Sequence, residues 1–237
     1  MARNTTQRVA VAGATGLIGR ALLLQLRADP AIGAVHALVR TAPPAGTLPQ
    51  GVKIVTIDYA ALAKAGAGAD GAGAKAGLPT LDWGLCALGT TIKTAGSPAA
   101  FRAVDVDAVV AFARAVKAAG ARRFGVVSAL GADPKSKVFY NRCKGEMEAA
   151  LRGIGFDHLV IVRPSLLLGN RSALGQSTRL GERLAQGLTP LIGWATPRRL
   201  RPIAAEVVAR ALRAAMSKGP AGVRVVESDE LRVLGAA

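Results

Sequence analysis

The sequence predicts an α/β protein: a doubly wound parallel sheet with helices on both faces and a small irregular cap beyond the sheet's carboxyl edge. Three observations predict it. Strand-like apolar runs alternate with helical patterns along most of the chain. A glycine triplet, Gly13, Gly16 and Gly19, stands at the first strand-to-helix junction. After Pro164 the alternation breaks into a stretch rich in Gly, Pro and Arg. At 237 residues the chain suits one such domain with a substantial core and is short for two. Residues 1–237 therefore read as a single domain, with the cap at 166–202 inside it.

The elements follow in order. "RVAVAG" is the first strand, and the helix through "GRALLLQLRAD" stops at Pro30. "VHALVR" and "VKIVTID" form the second and third strands, "LDWGLCALG" the fourth, "RRFGVVSAL" the fifth and "DHLVIVRP" the sixth. Between the fourth and fifth, Phe101, Val104, Ala108, Phe112 and Val116 recur at steps of three and four, the mark of one helix face. Ser97 caps that helix with Pro98 at its first position, and Gly120 ends it. "AAEVVARALRAAM" and "VRVVE" supply a last helix and strand. Residues 65–77, "AGAGADGAGAKAG", are a low-complexity surface segment with no assignable chemistry.

Composition narrows the function classes. Hydrophobic residues make up 51% but aromatics only 4%, so the core is built from Val, Leu, Ile and Ala. Apolar runs stop well short of the roughly 18 residues of a membrane span, and no apolar leader precedes the first strand. The expectation is a cytoplasmic protein off the membrane. Cys86 and Cys143 stand alone and the only histidines are His36 and His158, so no metal site is expected. The formal charge is +16, yet the basic residues are dispersed and no nucleic-acid motif or aromatic platform accompanies them. Nucleic acid is not an expected partner.

The glycine triplet points to a dinucleotide. Gly13 allows the tight turn, Gly16 lets the backbone approach a pyrophosphate, and Gly19 lets the helix pack on the sheet. Phosphates then meet free N–H groups at the positive helix end. Strand before, helix after, this is the Rossmann-type context. Where NAD binders carry an acidic residue for the ribose 2′-OH, this chain reads "LVRT". Arg40 there suits a 2′-phosphate, so NADP(H) is the preferred cofactor and NAD(H) the alternative.

Chemistry is carried downstream. Ser128 ends the fifth strand, Tyr140 follows twelve residues on, and Lys144 lies one helical turn beyond it. A tyrosine hydroxyl becomes a usable acid or base when an ammonium stabilises its phenolate. A serine hydroxyl at the strand end can polarise a carbonyl. GxxGxxG with YxxxK resembles the extended and atypical branches of the short-chain dehydrogenase/reductase superfamily. "CALGTTIKTAG", "VSALGAD", "YNRCKGEMEAAL" and "VRPSLLLGNR" resemble its TIP30-like, oxidoreductase-like subgroup. The resemblance spans nearly the whole chain. It implies that Gly13, Thr15, Gly16, Leu17, Ile18 and Gly19 line the pyrophosphate and that Arg40 takes the 2′-phosphate. It further implies that Asp58 approaches the adenine, and that Leu88, Gly89 and Thr90 pass the ribose and nicotinamide side. Lys144 would bind the nicotinamide ribose, with Pro164 and Ser165 at the nicotinamide end. Ser128, Tyr140 and Lys144 would be catalytic.

One departure stands out. The superfamily often places an asparagine on the helix before the serine strand; here Asp105 is nearest that position, with a water chain as the alternative relay and a solvated helix residue as the plain reading of Asp105. The implied function is an NADP(H)-dependent oxidoreductase acting on a small carbonyl or alcohol, with a homodimer by superfamily habit. The competing reading is an NADP(H)-binding redox sensor with little chemistry and a protein partner. A nucleotide-sugar epimerase or dehydratase ranks third, because such enzymes usually carry a larger C-terminal domain. Arg171, Arg179 and Arg183 in the cap are candidates for an anionic substrate.

Overall fold

A computed structural model describes residues 6–65, 77–168 and 197–236. Most of the Gly/Ala segment and most of the cap, with Arg171, Arg179 and Arg183, lie outside the described residues. Strands β1 (Gln7–Ala12), β2 (Ile32–Val39), β3 (Val52–Thr56), β4 (Trp83–Cys86), β5 (Arg123–Val127), β6 (His158–Arg163) and, later in the chain, β9 (Gly222–Glu227) form one sheet. Its order is β3-β2-β1-β4-β5-β6-β9, and every neighbouring pair is parallel. This is the Rossmann-like doubly wound order, which reverses between β1 and β4 and opens a ligand crevice at their carboxyl ends.

Alternation along the strands builds two cores. Val9, Val11, Leu85, Val160 and Val162 face helices α1 (Leu17–Arg27) and α7 (Ala205–Lys218). Ala10, Ala12, Cys86, Phe124, Val126 and Ile161 face the opposite side. There they meet α2 (Tyr59–Ala65), α5 (Ala108–Ala118) and α6 (Phe139–Arg152). Both faces are covered, which is why the strands read as continuous apolar runs rather than alternating ones. On α1, Leu22, Leu23 and Leu26 are wholly buried, each stabilising the fold by roughly 1.5–3 kcal/mol.

Two short helices, α3 (Ile92–Ala95) and α4 (Pro98–Arg102), follow β4. The Ser97 hydroxyl caps α4 at 3.1 Å from the Ala100 N–H, with Pro98 at the first position, as the sequence indicates. The helix expected to run on without interruption contains a π-turn, Ala103–Asp107, between α4 and α5. Its extra residue turns both Asp105 and Val106 inward. Also not anticipated are a small parallel pair of β7 (Leu167–Leu168) and β8 (Ile203–Ala204), and the terminal helix α8 (Ser228–Leu234).

Candidate cofactor-binding and active site

At the end of β1 the chain turns through Gly13, whose φ of 77° lies in the left-handed region. A side chain there would collide with the Ala87 carbonyl beyond β4, and one at Gly19 with the Gly13 carbonyl. The Gly16 N–H donates to the Gly13 carbonyl at 3.0 Å, closing the turn. Helix α1 then begins with no side-chain cap and no acidic residue in its first turn. The N–H groups of Leu17, Ile18 and Gly19 have no acceptor within the helix and point out of its positive end. Ile18 itself is buried in the core, so it offers only its backbone. Thr15 lies half-buried in the same turn. This bare turn of N–H groups at the positive helix end fits a pyrophosphate.

Arg40, one residue past β2, is exposed and makes no hydrogen bond or salt bridge among the described residues. Asp58 lies two residues past β3 and is also exposed. One of its carboxylate oxygens caps α2, accepting from the N–H groups of Ala60 at 2.8 Å and Ala61 at 3.1 Å. Leu88, Gly89 and Thr90 follow β4 across the crevice.

Beside them lies a buried ion pair. Lys144 Nζ on α6 stands 2.7 Å from Asp105 Oδ1, with side-chain exposures of 4% and 1%. The second Asp105 oxygen accepts the Thr90 N–H at 2.8 Å. The alternative of a solvated Asp105 is thus corrected: the π-turn puts it in the interior. Burial opposes the charge on Lys144, but the Asp105 carboxylate and the neighbouring Tyr140 more than offset it and hold the ammonium's pKa above the usual lysine value of 10.5. Tyr140, one turn before Lys144, is half-buried and packs its ring on Phe101 at a centroid distance of 5.7 Å.

Ser128 is placed differently from these two. Its hydroxyl donates to Glu148 Oε1 at 2.6 Å, and Glu148 is two helical turns past Tyr140. Arg163 at the end of β6 grips the same carboxylate from two nitrogens, at 2.9 Å and 2.6 Å, and reaches Glu227 on β9 at 3.0 Å. Ser128, Glu148, Arg163 and Glu227 therefore lock β5, α6, β6 and β9 together. The structure brings Tyr140 and Lys144 together with Asp105, while the one hydroxyl proton of Ser128 is engaged by Glu148. Pro164 is buried and its carbonyl accepts the Leu130 N–H at 3.0 Å. Ser165 is held by the Ser228 hydroxyl at 3.0 Å and donates to the Arg201 carbonyl.

Sequence reasoning did not single out Glu148 or Arg163. The signal was present: Glu148 continues the Tyr140–Lys144 row at another step of four, a carboxylate on an otherwise interior stripe.

Fold and cradle together define a Rossmann-like NAD(P)H-binding protein. The chain belongs to the NAD(P)H-binding family, whose sequence profile matches residues 13–191, and it is related to the fungal FMP52 proteins. It is 34% identical over 163 residues to the mitochondrial protein fmp52 of Emericella nidulans, covering 69% of this chain and 68% of that one. To FMP52 of Chaetomium globosum it is 32% identical over 234 residues, covering 95% of each. Among solved structures, MoeE5 in complex with UDP-glucose and NAD matches at a TM-score of 0.64 and 17% identity, covering 97% of this chain and 81% of that one, a likeness of fold. The expected cytoplasmic location is overturned by these relatives, which are named mitochondrial proteins. The expectation rested on the lack of an apolar leader, which bears on secretion only; organellar transit segments are amphipathic and need no apolar run.

Proposed function

We propose that the protein is an NADP(H)-dependent oxidoreductase acting on a small carbonyl or alcohol, with Tyr140 and Lys144 at its centre. The observation that carries this reading is the placement of Lys144. It is a buried ammonium held charged by Asp105, one turn from Tyr140 and beside the Gly89–Thr90 loop at the crevice. A bound nicotinamide supplies or accepts the hydride. The N–H groups of Leu17, Ile18 and Gly19 hold the pyrophosphate, Arg40 reads the 2′-phosphate, and Lys144 donates to the nicotinamide ribose hydroxyls. Tyr140 Oη gives its proton to the substrate oxygen as the alcohol forms and takes one back in the reverse direction. The Lys144 ammonium stabilises the phenolate left behind. The test is an NADPH and NADH titration followed by a carbonyl screen with the preferred nucleotide. Tight NADPH binding with turnover on some carbonyl is the expected result. Absence of turnover across a broad screen would remove the oxidoreductase reading.

A second reading, a redox-state sensor with little chemistry, is favoured by one observation. The only proton of Ser128 is donated to Glu148, so the hydroxyl is not free to polarise a carbonyl. Absent turnover with tight NADPH binding would favour the sensor, and where turnover is found Ser128→Ala tests the role of this hydroxyl. Lost turnover with intact nucleotide binding assigns Ser128 to the reaction, whereas unchanged turnover leaves it to the Glu148–Arg163 network.

A further inference from the structure

We infer that Asp105 is a positioning residue that keeps Lys144 in its ammonium form and ties it to the Gly89–Thr90 loop, so that nucleotide binding depends on this pair; the inference rests on the oxidoreductase reading of the site. Three observations converge. Asp105 sits in a π-turn, a departure from regular helix that recurs at functional positions, and that turn carries its carboxylate inward to 1% exposure. The carboxylate is bidentate between two elements, with Lys144 of α6 on one oxygen and the Thr90 N–H on the other. The residue next to Thr90 is Gly89, and a side chain added there would stand 3.5 Å from Asp105 Oδ1 and 4.0 Å from Lys144 Nζ. The backbone thus passes directly over the pair, and a single carboxylate sets both the ammonium and the loop.

Energetics point the same way. Burying a charge is costly, and a buried pair often stabilises a fold no better than apolar residues of the same volume. Once its partner is removed, a buried lysine sheds its proton, titrating in documented cases as low as about 5 to 6. The ionisable groups facing Lys144 are Asp105 from the π-turn, Tyr140 from its own helix and Cys86 from the end of β4. Burial pushes the Cys86 thiol up to about 12, so it stays neutral near physiological pH and supplies no counter-charge. Asp105 is therefore the anion on which the ammonium depends.

The experiment is NADPH titration by fluorescence at several pH values, with a thermal melt of each variant. In the wild type, Lys144 keeps its proton through and above the ordinary lysine value, so affinity is expected to be flat from about pH 6 to 9. Asp105→Asn preserves size and the Thr90 contact but removes the charge. It is expected to weaken NADPH binding about tenfold or more near neutral pH, the scale of one charge-assisted hydrogen bond, and to lose more as pH rises. Its melting temperature should fall. The double variant Asp105→Asn/Lys144→Met has no unpaired buried charge. It should recover the melting temperature, remain weak in binding and show no pH dependence. Wild-type-like, flat NADPH binding by Asp105→Asn would overturn the inference while leaving the oxidoreductase reading standing. So would a pH dependence that persists in the double variant. A wild type that binds neither NADPH nor NADH would overturn both.

Discussion

The two edges of the sheet carry charge in opposite ways. At the amino edge, polar and charged groups are answered by nearby carboxylates and carbonyls. Arg8 pairs with Asp82 at 3.2 Å, and Arg122, with 80% of its side chain exposed, pairs with Asp157 at 2.5 Å. Arg123 donates to the Met216 carbonyl at the end of α7, and His158 sets its two ring nitrogens against the carbonyls of Pro220 and Ala215. These contacts finish a helix end and fasten loops, and exposed pairs are each worth only about 0–1 kcal/mol. At the carboxyl edge, α1 starts uncapped, Arg40 has no acid beside it among the described residues, and Lys144 is buried on Asp105. On the proposed reading, those arrangements serve an anionic, hydride-carrying ligand. On that reading, the contrast separates charges that fasten the fold from charges that meet the nucleotide.

Breaking the carboxyl edge should have the larger consequences. Tyr140→Phe keeps the ring and its contact with Phe101 while removing the exchangeable proton. Turnover on any substrate found should fall by about 10²–10⁴-fold, with NADPH affinity unchanged in a parallel titration. Lys144→Ala should lose both. Next in size is Gly13→Ala, which combines left-handed backbone with a clash against the Ala87 carbonyl. Strained backbone of this kind costs on the order of 1–3 kcal/mol, so denaturant melts should show that loss and nucleotide titration a loss of NADPH binding with it.

Arg40→Asp sharpens the comparison further. A carboxylate beside the 2′-phosphate should weaken NADPH about tenfold or more and leave NADH unchanged or improved. Equal loss of both nucleotides would show that Arg40 does not read the phosphate. The smallest effect belongs to the amino edge. Arg122→Ala should change stability by less than about 1 kcal/mol in a urea melt and leave NADPH affinity where it was.

Much of the fold was legible in the sequence because its signals are local. The strand runs, the Ser97–Pro98 helix start and the Gly13–Gly16–Gly19 turn each declare themselves within a few residues, and the parallel, doubly wound sheet follows from the α/β rhythm. The Tyr140–Lys144 pair was legible for the same reason, since helical spacing alone puts them on one face. What escaped is long-range. Whether Asp105 faces water or Lys144 is decided by a π-turn and by contact across 39 positions of chain, which no periodicity encodes. Ser128 reads as a free hydroxyl until the fold brings Glu148 and Arg163 to it.

The claim that the carboxyl edge alone is the nucleotide site is tested most directly by amide hydrogen exchange with and without NADPH. Protection is expected in three segments: the Gly13–Gly19 turn with the start of α1, the Leu88–Thr90 loop, and the Tyr140–Lys144 turn of α6. The amino-edge residues Asp82, Arg122 and His158 should exchange at the same rate in both states. Protection at those amino-edge residues, or none in the glycine turn at saturating NADPH, would contradict the account.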